Sequence, residues 1–382
     1  MSQLDELRDR IDTIDAQIVD LFQRRMAVTG QVGEYKAARG LPVLDAGRER
    51  EKMRTLLEKM PPEMKNYTSV LYSSLFELSR SYQSRQMEQY TDLSHKIADA
   101  IAGTPSLFPQ NAAVGVCGVE GAYAQIATEK LFKMPFILYF NSFEGVFSAI
   151  EQGLCQYGVV PIENSTAGSV KKVYDLMIHH NFSIVRSVRL KIDHNLLAKR
   201  GTKLSDIKEI FSHEQAISQC AEFLKTLGPD VKVTAVENTA MAAKRVAESE
   251  RSDVAALCSR SCMDLYDLSC LKYNVQDQGN NYTRFICISR NLEIYPGADR
   301  TSLMLATAHK PGALYRLLAR FYALGINITK LESRPIPDRD FEFMFYFDLE
   351  TSIYSEEFIQ IICELSASTE DFTYLGSYSE VV

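Results

Sequence analysis

Three groups of side chains in this chain have types and spacings suited to chemistry. The first is cationic: Arg8, Arg25 and Lys36 lie on one helical pattern, and an Asp45, Arg48, Glu49 cluster opens the next. Arg25 and Lys36 are eleven residues apart, which at 3.6 residues per turn leaves roughly 20° between them, on one face three turns apart. Arg8 falls roughly 100° away from that face and fits poorly into the same pocket, which leaves it free for a pocket of a second subunit. Gathered in a pocket, such cations hold a polyanion; left on a surface they are solvated charges, the commoner state of a charge-rich helix.

The second group lies at three strand-to-helix junctions: Pro161-Ile162-Glu163-Asn164-Ser165-Thr166-Ala167-Gly168-Ser169, Ser212-His213-Glu214-Gln215-Ala216, and Asn281-Tyr282-Thr283-Arg284-Phe285. The first two set small polar residues where a helix is expected to begin, and free N–H groups there favour a carboxylate. Simple capping is the alternative use of the same residues. His213 has the type of a general acid, but packing or hydrogen bonding is the commoner use of a histidine at a helix start. The third group is Pro311-Gly312-Ala313-Leu314 with Glu332-Ser333-Arg334-Pro335, read plainly as a helix-start turn and a surface ion pair.

The elements that must position these residues differ along the chain. Leu4, Leu7, Ile11, Ile14, Ile18, Leu21, Val28 and Val32 follow the three-and-four spacing of one long amphipathic helix with Ser2 as N-cap. Continued to about Ala38 it would be ~55 Å long, too long for a small helical domain to cover alone, so a second protomer is expected on it. A second helix starts near Asp45, Pro61-Pro62 breaks it, and a third runs from about Glu63 to Gln89. Residues 90–111, with Gly103, Pro105 and Pro109, read as a linker holding a weak helix. Short Val- and Ile-rich runs then alternate with helical segments (113–116, 157–161, 184–188, 207–211, 231–236, 254–257 and 285–289), the pattern of an α/β domain with buried strands. From 301 to about 379 the order is strand, helix, strand, strand, helix, strand, a ferredoxin-like βαββαβ unit whose first strand is expected over 302–308.

Bulk properties narrow the classes. A chain of 382 residues exceeds one core and predicts two or three domains. No apolar run approaches a membrane span, and the charged, aliphatic N-terminus lacks the apolar core of a signal peptide, which points to the cytoplasm. The eight cysteines form no CxxC pair and have no histidine-rich neighbourhood, so no metal is expected. A net charge of −7 argues against nucleic acid and anionic membranes; an anionic ligand must be met by locally gathered cations. Gly118-x-x-Gly121 lacks the Lys-Ser/Thr ending of a phosphate loop, and no cofactor is expected.

The first ninety residues resemble the all-helical chorismate mutase family through L-x-x-L-R-x-x-I at Leu4–Ile11, R-R-x-x-x-x-x-x-x-G-x-x-K at Arg24–Lys36, D-x-x-R-E at Asp45–Glu49 and S-R-x-x-Q at Ser79–Gln83. The resemblance implies an intertwined dimer. In it Arg8 of the partner subunit, Arg25 and Arg48 surround the two carboxylates of chorismate, and Lys36 and Gln83 donate to the ether oxygen. Glu49 with the Asp45 region holds the ring hydroxyl, and Ser79 assists at a carboxylate. A pericyclic rearrangement shuttles no proton, so the work lies in holding a compact dianion and placing donors where charge gathers on the breaking C–O bond.

Residues 115–290 resemble the prephenate dehydratase family through GVEGAYA, VVPIENSTAGSV, DHNLLA, FSHEQAISQC, NTAMAA and NVQDQGNNYTRF. The resemblance implies a two-lobed, periplasmic-binding-protein-like α/β domain with its site in the cleft. Prephenate loses carbon dioxide and hydroxide there, with Thr283 as donor to the departing hydroxide. Glu163 supplies acidity or shapes the field, and Asn164, Ser212, Gln215 and Arg284 orient substrate. Ala124 stands where the family commonly has serine.

The Gly312-Ala313-Leu314 and Glu332-Ser333-Arg334-Pro335 motifs are similar to those of the ACT domain attached to prephenate dehydratases, which binds phenylalanine between subunits. The expectation is therefore a mutase at 1–90, a linker at 91–111, a dehydratase at 112–292 and an ACT domain at 300–380. These parts make a feedback-inhibited enzyme of phenylalanine biosynthesis, assembled as a homodimer or higher homo-oligomer, with chorismate, prephenate and L-phenylalanine as its small-molecule partners. The alternatives are an arogenate dehydratase, and a phenylalanine-responsive binding protein with an inactive dehydratase domain.

Overall fold

The computed structural model describes residues 2–86, 92–307, 309–337, 339, 342–369 and 371–382. In chain order it holds α1 (Gln3–Ala37), α2 (Ala46–Glu58), α3 (Lys65–Gln86) and α4 (Asp92–Gly103), then β1 (Asn111–Cys117), α5 (Tyr123–Leu131), β2 (Met134–Phe140), α6 (Phe143–Glu151), β3 (Tyr157–Asn164), β4 (Gly168–Ser169), α7 (Lys171–His179) and β5 (Ser183–Lys191). There follow β6 (Asn195–Lys199), β7 (Glu209–Ser212), α8 (Glu214–Gln219), α9 (Ala221–Thr226), β8 (Lys232–Ala235), α10 (Thr239–Glu248), β9 (Val254–Cys258), α11 (Cys262–Leu265), β10 (Leu268–Lys272) and β11 (Tyr282–Ser289). The chain closes with β12 (Arg300–Ala306), α12 (Ala313–Ala323), β13 (Asn327–Pro335), β14 (Phe343–Glu350), α13 (Glu356–Ser368), β15 (Phe372–Tyr378) and β16 (Glu380–Val381). Among the described residues no helix is long and apolar enough to cross a membrane. Residues 87–89 of the expected third helix and Ala308 of the first C-terminal strand lie outside the described residues.

Two compact units result. One holds residues 1–95, 310–320 and 356–370; the other holds 96–309, 321–355 and 371–382. In the first, α1 begins with a capping box in which the Ser2 hydroxyl accepts from Asp5 N and the Asp5 carboxylate accepts from Ser2 N. Asp45 caps α2 by accepting from Arg48 N at 2.9 Å. α3 packs along α1, and Gly33 is where they approach: a Cβ there would lie 3.2 Å from Gln83 Cα. The stripe from Leu4 to Val32 that defined α1 in the sequence lies open, each of its eight aliphatic residues being between 41% and 63% exposed. α3 also meets the C-terminal helices, Glu77 pairing with Arg320 at 3.0 Å and Ser81 donating to Glu364 at 3.1 Å. The linker helix α4 is a regular twelve-residue element rather than a weak one.

In the second unit two α/β lobes are built on separate sheets. The first lobe's sheet runs β16-β5-β11-β3-β1-β2, with β4 paired to β3, and the second lobe's runs β10-β6-β9-β7-β8. Each of the seven apolar runs read from the sequence contributes a strand. The chain passes between lobes at 192–194 and at 273–281, and the two crossings are tied together: Val275 N donates to His194 O at 2.8 Å and Ile192 N to Asn281 O at 2.9 Å. The C-terminal strands form a third sheet ordered β13-β14-β12-β15, the strand order of a ferredoxin-like unit.

That third sheet is not a separate layer. Met304, Met344, Tyr346, Leu375 and Tyr378 share one apolar core with Val173, Tyr174 and Met177 of α7 and with Ile184 of β5, and β16 adds parallel to β5 through Glu380 opposite Ser187. The approach depends on Gly376. It sits at a bulge in β15, its φ is +134°, and a Cβ there would lie 2.3 Å from Ile184 O. Gly376→Ala is expected to destabilise the second unit by about 1–3 kcal/mol, read as a lower midpoint in denaturant unfolding.

Candidate active sites

The helical unit gathers part of the expected cation set. Arg25 reaches from α1 to α3, where its guanidinium donates to Ser79 Oγ and to Leu75 O. Burial pushes its pKa down and the Tyr72 hydroxyl opposes this. Ser79 and Gln83 are buried on the facing side of α3, and Gln83 Oε1 has no hydrogen-bond partner among the described residues. Lys36 Nζ donates to Val43 O at 2.6 Å, and Glu49 pairs with Arg80, a cation inside the S-R-x-x-Q motif that the sequence reading passed over. Arg48 points instead to Glu51 at 3.2 Å on the surface, and Arg8 lies exposed, 3.9 Å from Asp5.

The cleft site of the second unit is built around one side-chain amide. Asn164 ends β3, and its Oδ1 accepts from the backbone N–H groups of Thr166 and Ala167 at 3.1 and 2.9 Å and from Thr166 Oγ1 at 2.7 Å. The segment after Asn164 is thus an Asx turn leading into β4, not the helix start expected from its small polar residues. Because Oδ1 is committed to donors, Nδ2 is fixed as the donor, and it reaches Asn281 Oδ1 at 2.7 Å and Thr283 Oγ1 at 2.9 Å. Thr283 therefore accepts from Asn164, and its own proton is committed to no acceptor among the described residues.

Gln219 closes the arrangement from the second lobe. Its Nε2 donates to Thr166 Oγ1 at 2.7 Å, and its Oε1 accepts from Asn281 Nδ2 at 3.0 Å. The same oxygen lies 2.9 Å from His194 Nε2, which fixes the histidine as its Nε2–H tautomer. His194 is 2% exposed and its Nδ1 is unpartnered among the described residues. Burial lowers its pKa against the opposing effects of Gln219 and Asp193, so the ring is a neutral donor. Beside this group is a cavity of about 170 Å³ lined by Thr166, Ser218, Gln219, Gln276, Asp277 and Asn281, among others.

Other expected residues fall elsewhere. Ser212 is fully buried and donates to Leu257 O at 2.7 Å, tying β7 to β9. His213 caps α8, its Nδ1 accepting from Gln215 N at 3.3 Å, and the Gln215 side chain is exposed. Ala124 is buried in the apolar core of the first lobe. Glu163 and Arg284 face each other across β3 and β11, with Glu163 Oε1 2.7 Å from Arg284 Nε and Oε2 3.0 Å from Lys330 Nζ. Both carboxylate oxygens are engaged by cations. In the C-terminal module Gly312 has a φ of +77° just before α12, Glu332 accepts from Ser169 at 2.6 Å, and Arg334 forks onto Asp175 at 2.7 and 3.0 Å. Ser333 and Pro335 are exposed.

A hydroxyl oriented in a cleft between two α/β lobes, in a chain that also carries a helical cation site, is the arrangement of a two-site protein for small polar ligands. Residues 7–84 match the chorismate mutase type II family and residues 114–293 the prephenate dehydratase family. A bifunctional chorismate mutase/prephenate dehydratase of Escherichia coli K12 is 32% identical over 381 residues, covering 97% of this chain and 95% of the relative. Another from Aquifex aeolicus is 31% identical, covering 100% and 99%. A crystal structure of a prephenate dehydratase from Arthrobacter aurescens in complex with L-Phe is 26% identical, covers 70% of this chain and 89% of that one, and superposes with a TM-score of 0.64. The chain belongs to the family of bifunctional chorismate mutase/prephenate dehydratases and carries both activities, two steps of phenylalanine biosynthesis.

Gln219 is the residue whose loss tests the cleft network. Gln219→Ala orphans the buried Asn281 and His194 donors, destabilising the second unit by about 1–3 kcal/mol. It also removes the acceptor that orients Asn281 against Asn164, so phenylpyruvate formation from prephenate is expected to fall about tenfold or more, while chorismate consumption in the same sample is unchanged.

Proposed function

We propose that the dehydratase step uses the Thr283 hydroxyl as donor to the departing hydroxide of prephenate, with Asn164 as the group that aims it. As the ring carboxylate leaves as carbon dioxide, its bonding electron pair completes the aromatic ring and the C–O bond to the ring hydroxyl breaks. A hydrogen bond from Thr283 steadies the oxygen while it acquires charge, and the product hydroxide takes its proton from solvent. The single observation carrying this reading is the 2.9 Å bond from Asn164 Nδ2 to Thr283 Oγ1, which leaves the threonine proton directed elsewhere. Glu163, bracketed by Arg284 and Lys330, shapes the field and holds strand β11, and Arg284 serves with it. Ser212 and Gln215 act through the fold of the second lobe.

In the mutase step Arg25, Ser79, Lys36 and Gln83 bind the dianion, joined by Arg48, Asp45 and Glu49 and by Arg8 of the partner subunit. The open aliphatic stripe on α1 supports a homodimer in which that helix is covered. The C-terminal module, residues 300–380, acts as an ACT domain that binds L-phenylalanine through Gly312, Ala313, Leu314 and Glu332, Ser333, Arg334, Pro335. Feedback inhibition requires phenylalanine to bind a low-activity arrangement more tightly than the active one. The boundaries 1–90, 91–111 and 112–292 complete the organisation, in a cytoplasmic protein.

Incubation with chorismate tests the whole reading. Wild-type protein is expected to release phenylpyruvate at a rate that falls on addition of phenylalanine. Thr283→Ala is expected to accumulate prephenate, with phenylpyruvate formation reduced by about 100-fold or more. Phenylpyruvate at the wild-type rate from Thr283→Ala would remove Thr283 from the mechanism.

A further inference from the structure

Strand β14 is apolar on both faces, Phe343-Met344-Phe345-Tyr346-Phe347, until Asp348, which is 1% exposed. A carboxylate so placed is poorly solvated and persists only if its charge and lone pairs are met. Arg284 meets the charge, and Ser302 Oγ and Tyr346 Oη at 2.6 Å supply hydrogen bonds, with Tyr378 Oη at 3.4 Å. None of these partners belongs to the expected phenylalanine motifs.

The other side of Arg284 leads back to the same sheet. Its Nε lies 2.7 Å from Glu163 Oε1, an ion-pair contact rather than an aligned hydrogen bond. Glu163 Oε2 is 3.0 Å from Lys330 Nζ on β13, and Lys330 Nζ donates to Ser169 Oγ at 2.7 Å. Two residues of the C-terminal sheet, Asp348 and Lys330, therefore grip the Arg284–Glu163 pair from both ends.

That pair is one register step from the chemistry. Arg284 is paired with Glu163, and Thr283 with Asn164, and the ladder shifts register immediately afterwards, between Arg284 and Phe285. At such a bulge the backbone ladder does not by itself fix how far the strand end projects. We propose that Asp348 and Lys330 are positioning residues of the dehydratase: by clamping Arg284 and Glu163 they hold Thr283 within reach of Asn164 and of the substrate, so the C-terminal sheet is a working part of the catalytic lobe. This rests on the assignment of Thr283 and Asn164 to the dehydratase site.

The test compares full-length Asp348→Asn, Lys330→Met, Lys330→Arg and Thr283→Ala with wild type, measuring kcat and KM for prephenate, kcat for chorismate and the melting curve. Asp348→Asn keeps the shape and removes the charge. It is expected to lower dehydratase kcat about tenfold or more, with KM within about twofold and mutase kcat unchanged, since the lost interaction acts on the placement of the donor. Lys330→Met is expected to lower kcat about threefold or more, and Lys330→Arg to restore most of it. Wild-type kcat in a folded Asp348→Asn, or in Lys330→Met, would overturn the proposal. So would a loss of kcat that tracks the melting curve and recovers on cooling, which marks a structural role only. Should Asp348→Asn fail to fold, the Lys330 pair decides. Were Thr283→Ala to stay active, the site assignment would fail instead of this inference.

Discussion

The amide network of the cleft, Asn281, Gln219 and His194 with the Thr283 hydroxyl, takes its orientation from the carboxamide of Asn164. Two backbone N–H groups and a hydroxyl require its oxygen to be the acceptor, which leaves only the nitrogen to face Asn281 and Thr283. Asn281 then has one orientation, so does Gln219, and His194 one tautomer. A chain of amides of this kind costs nothing to reorganise during reaction, because its dipoles are set by backbone geometry before substrate arrives. It also spans both lobes, so the hydroxyl is correctly placed only when the lobes are correctly joined.

With the proposed residue roles, the two sites meet developing negative charge by different means. In the helical unit the charged donors are partly withdrawn from water: burial lowers the pKa of Arg25, and beside Gly33 the Gln83 oxygen has no partner among the described residues. That suits a rearrangement in which a bound dianion stays a dianion throughout. In the cleft the central groups are neutral, and the nearby arginine is consumed by carboxylates. Burial alone would push the Arg284 pKa down, but Asp348, then Tyr378, Tyr346 and Glu163, raise it. Under the proposed role of Thr283, a free guanidinium there would favour the carboxylate of the ground state, which must be given up as carbon dioxide, whereas a neutral hydroxyl donor favours the departing oxygen.

Much of this was legible in the chain. The stripe on α1, the Ser2 cap, the start of α2 near Asp45 and the seven apolar runs of the α/β domain are local patterns that local physics decides. What escaped depended on tertiary context. FSHEQAISQC offers Gln215 and Gln219 one turn apart, and nothing in the spacing says which faces the cleft; α8 ends at Gln219, whose backbone also accepts from Asp277 on the inter-lobe crossing. The polar run after Asn164 has the composition of a helix cap and of an Asx turn alike. Edge strand β2 begins Met-Pro, a poor strand signal, and β16 is two residues long. Asp348 did carry a signal: an acid inside FMFYFDL breaks a run that otherwise reads as a strand buried on both faces.

That buried acid bears on why a ferredoxin-like module should be attached to this enzyme so closely. Taking Asp348 and Arg284 out of water costs several kcal/mol per ion, and an apolar pair of similar volume would serve stability as well or better. The pair is therefore better understood as a specifier than as a stabiliser: an apolar contact tolerates sliding, whereas a buried ion pair is satisfied in one register. Its position agrees with this, since it joins the C-terminal sheet to the strand that carries Thr283, while Gly376 and β16 bring the same sheet onto β5, the neighbour of β11 on the other edge. Strand β11 is thus held along both edges and from above by residues far apart in sequence. A rearrangement of that sheet has a short route to the Thr283 hydroxyl, the proposed donor, through two side chains and one register step.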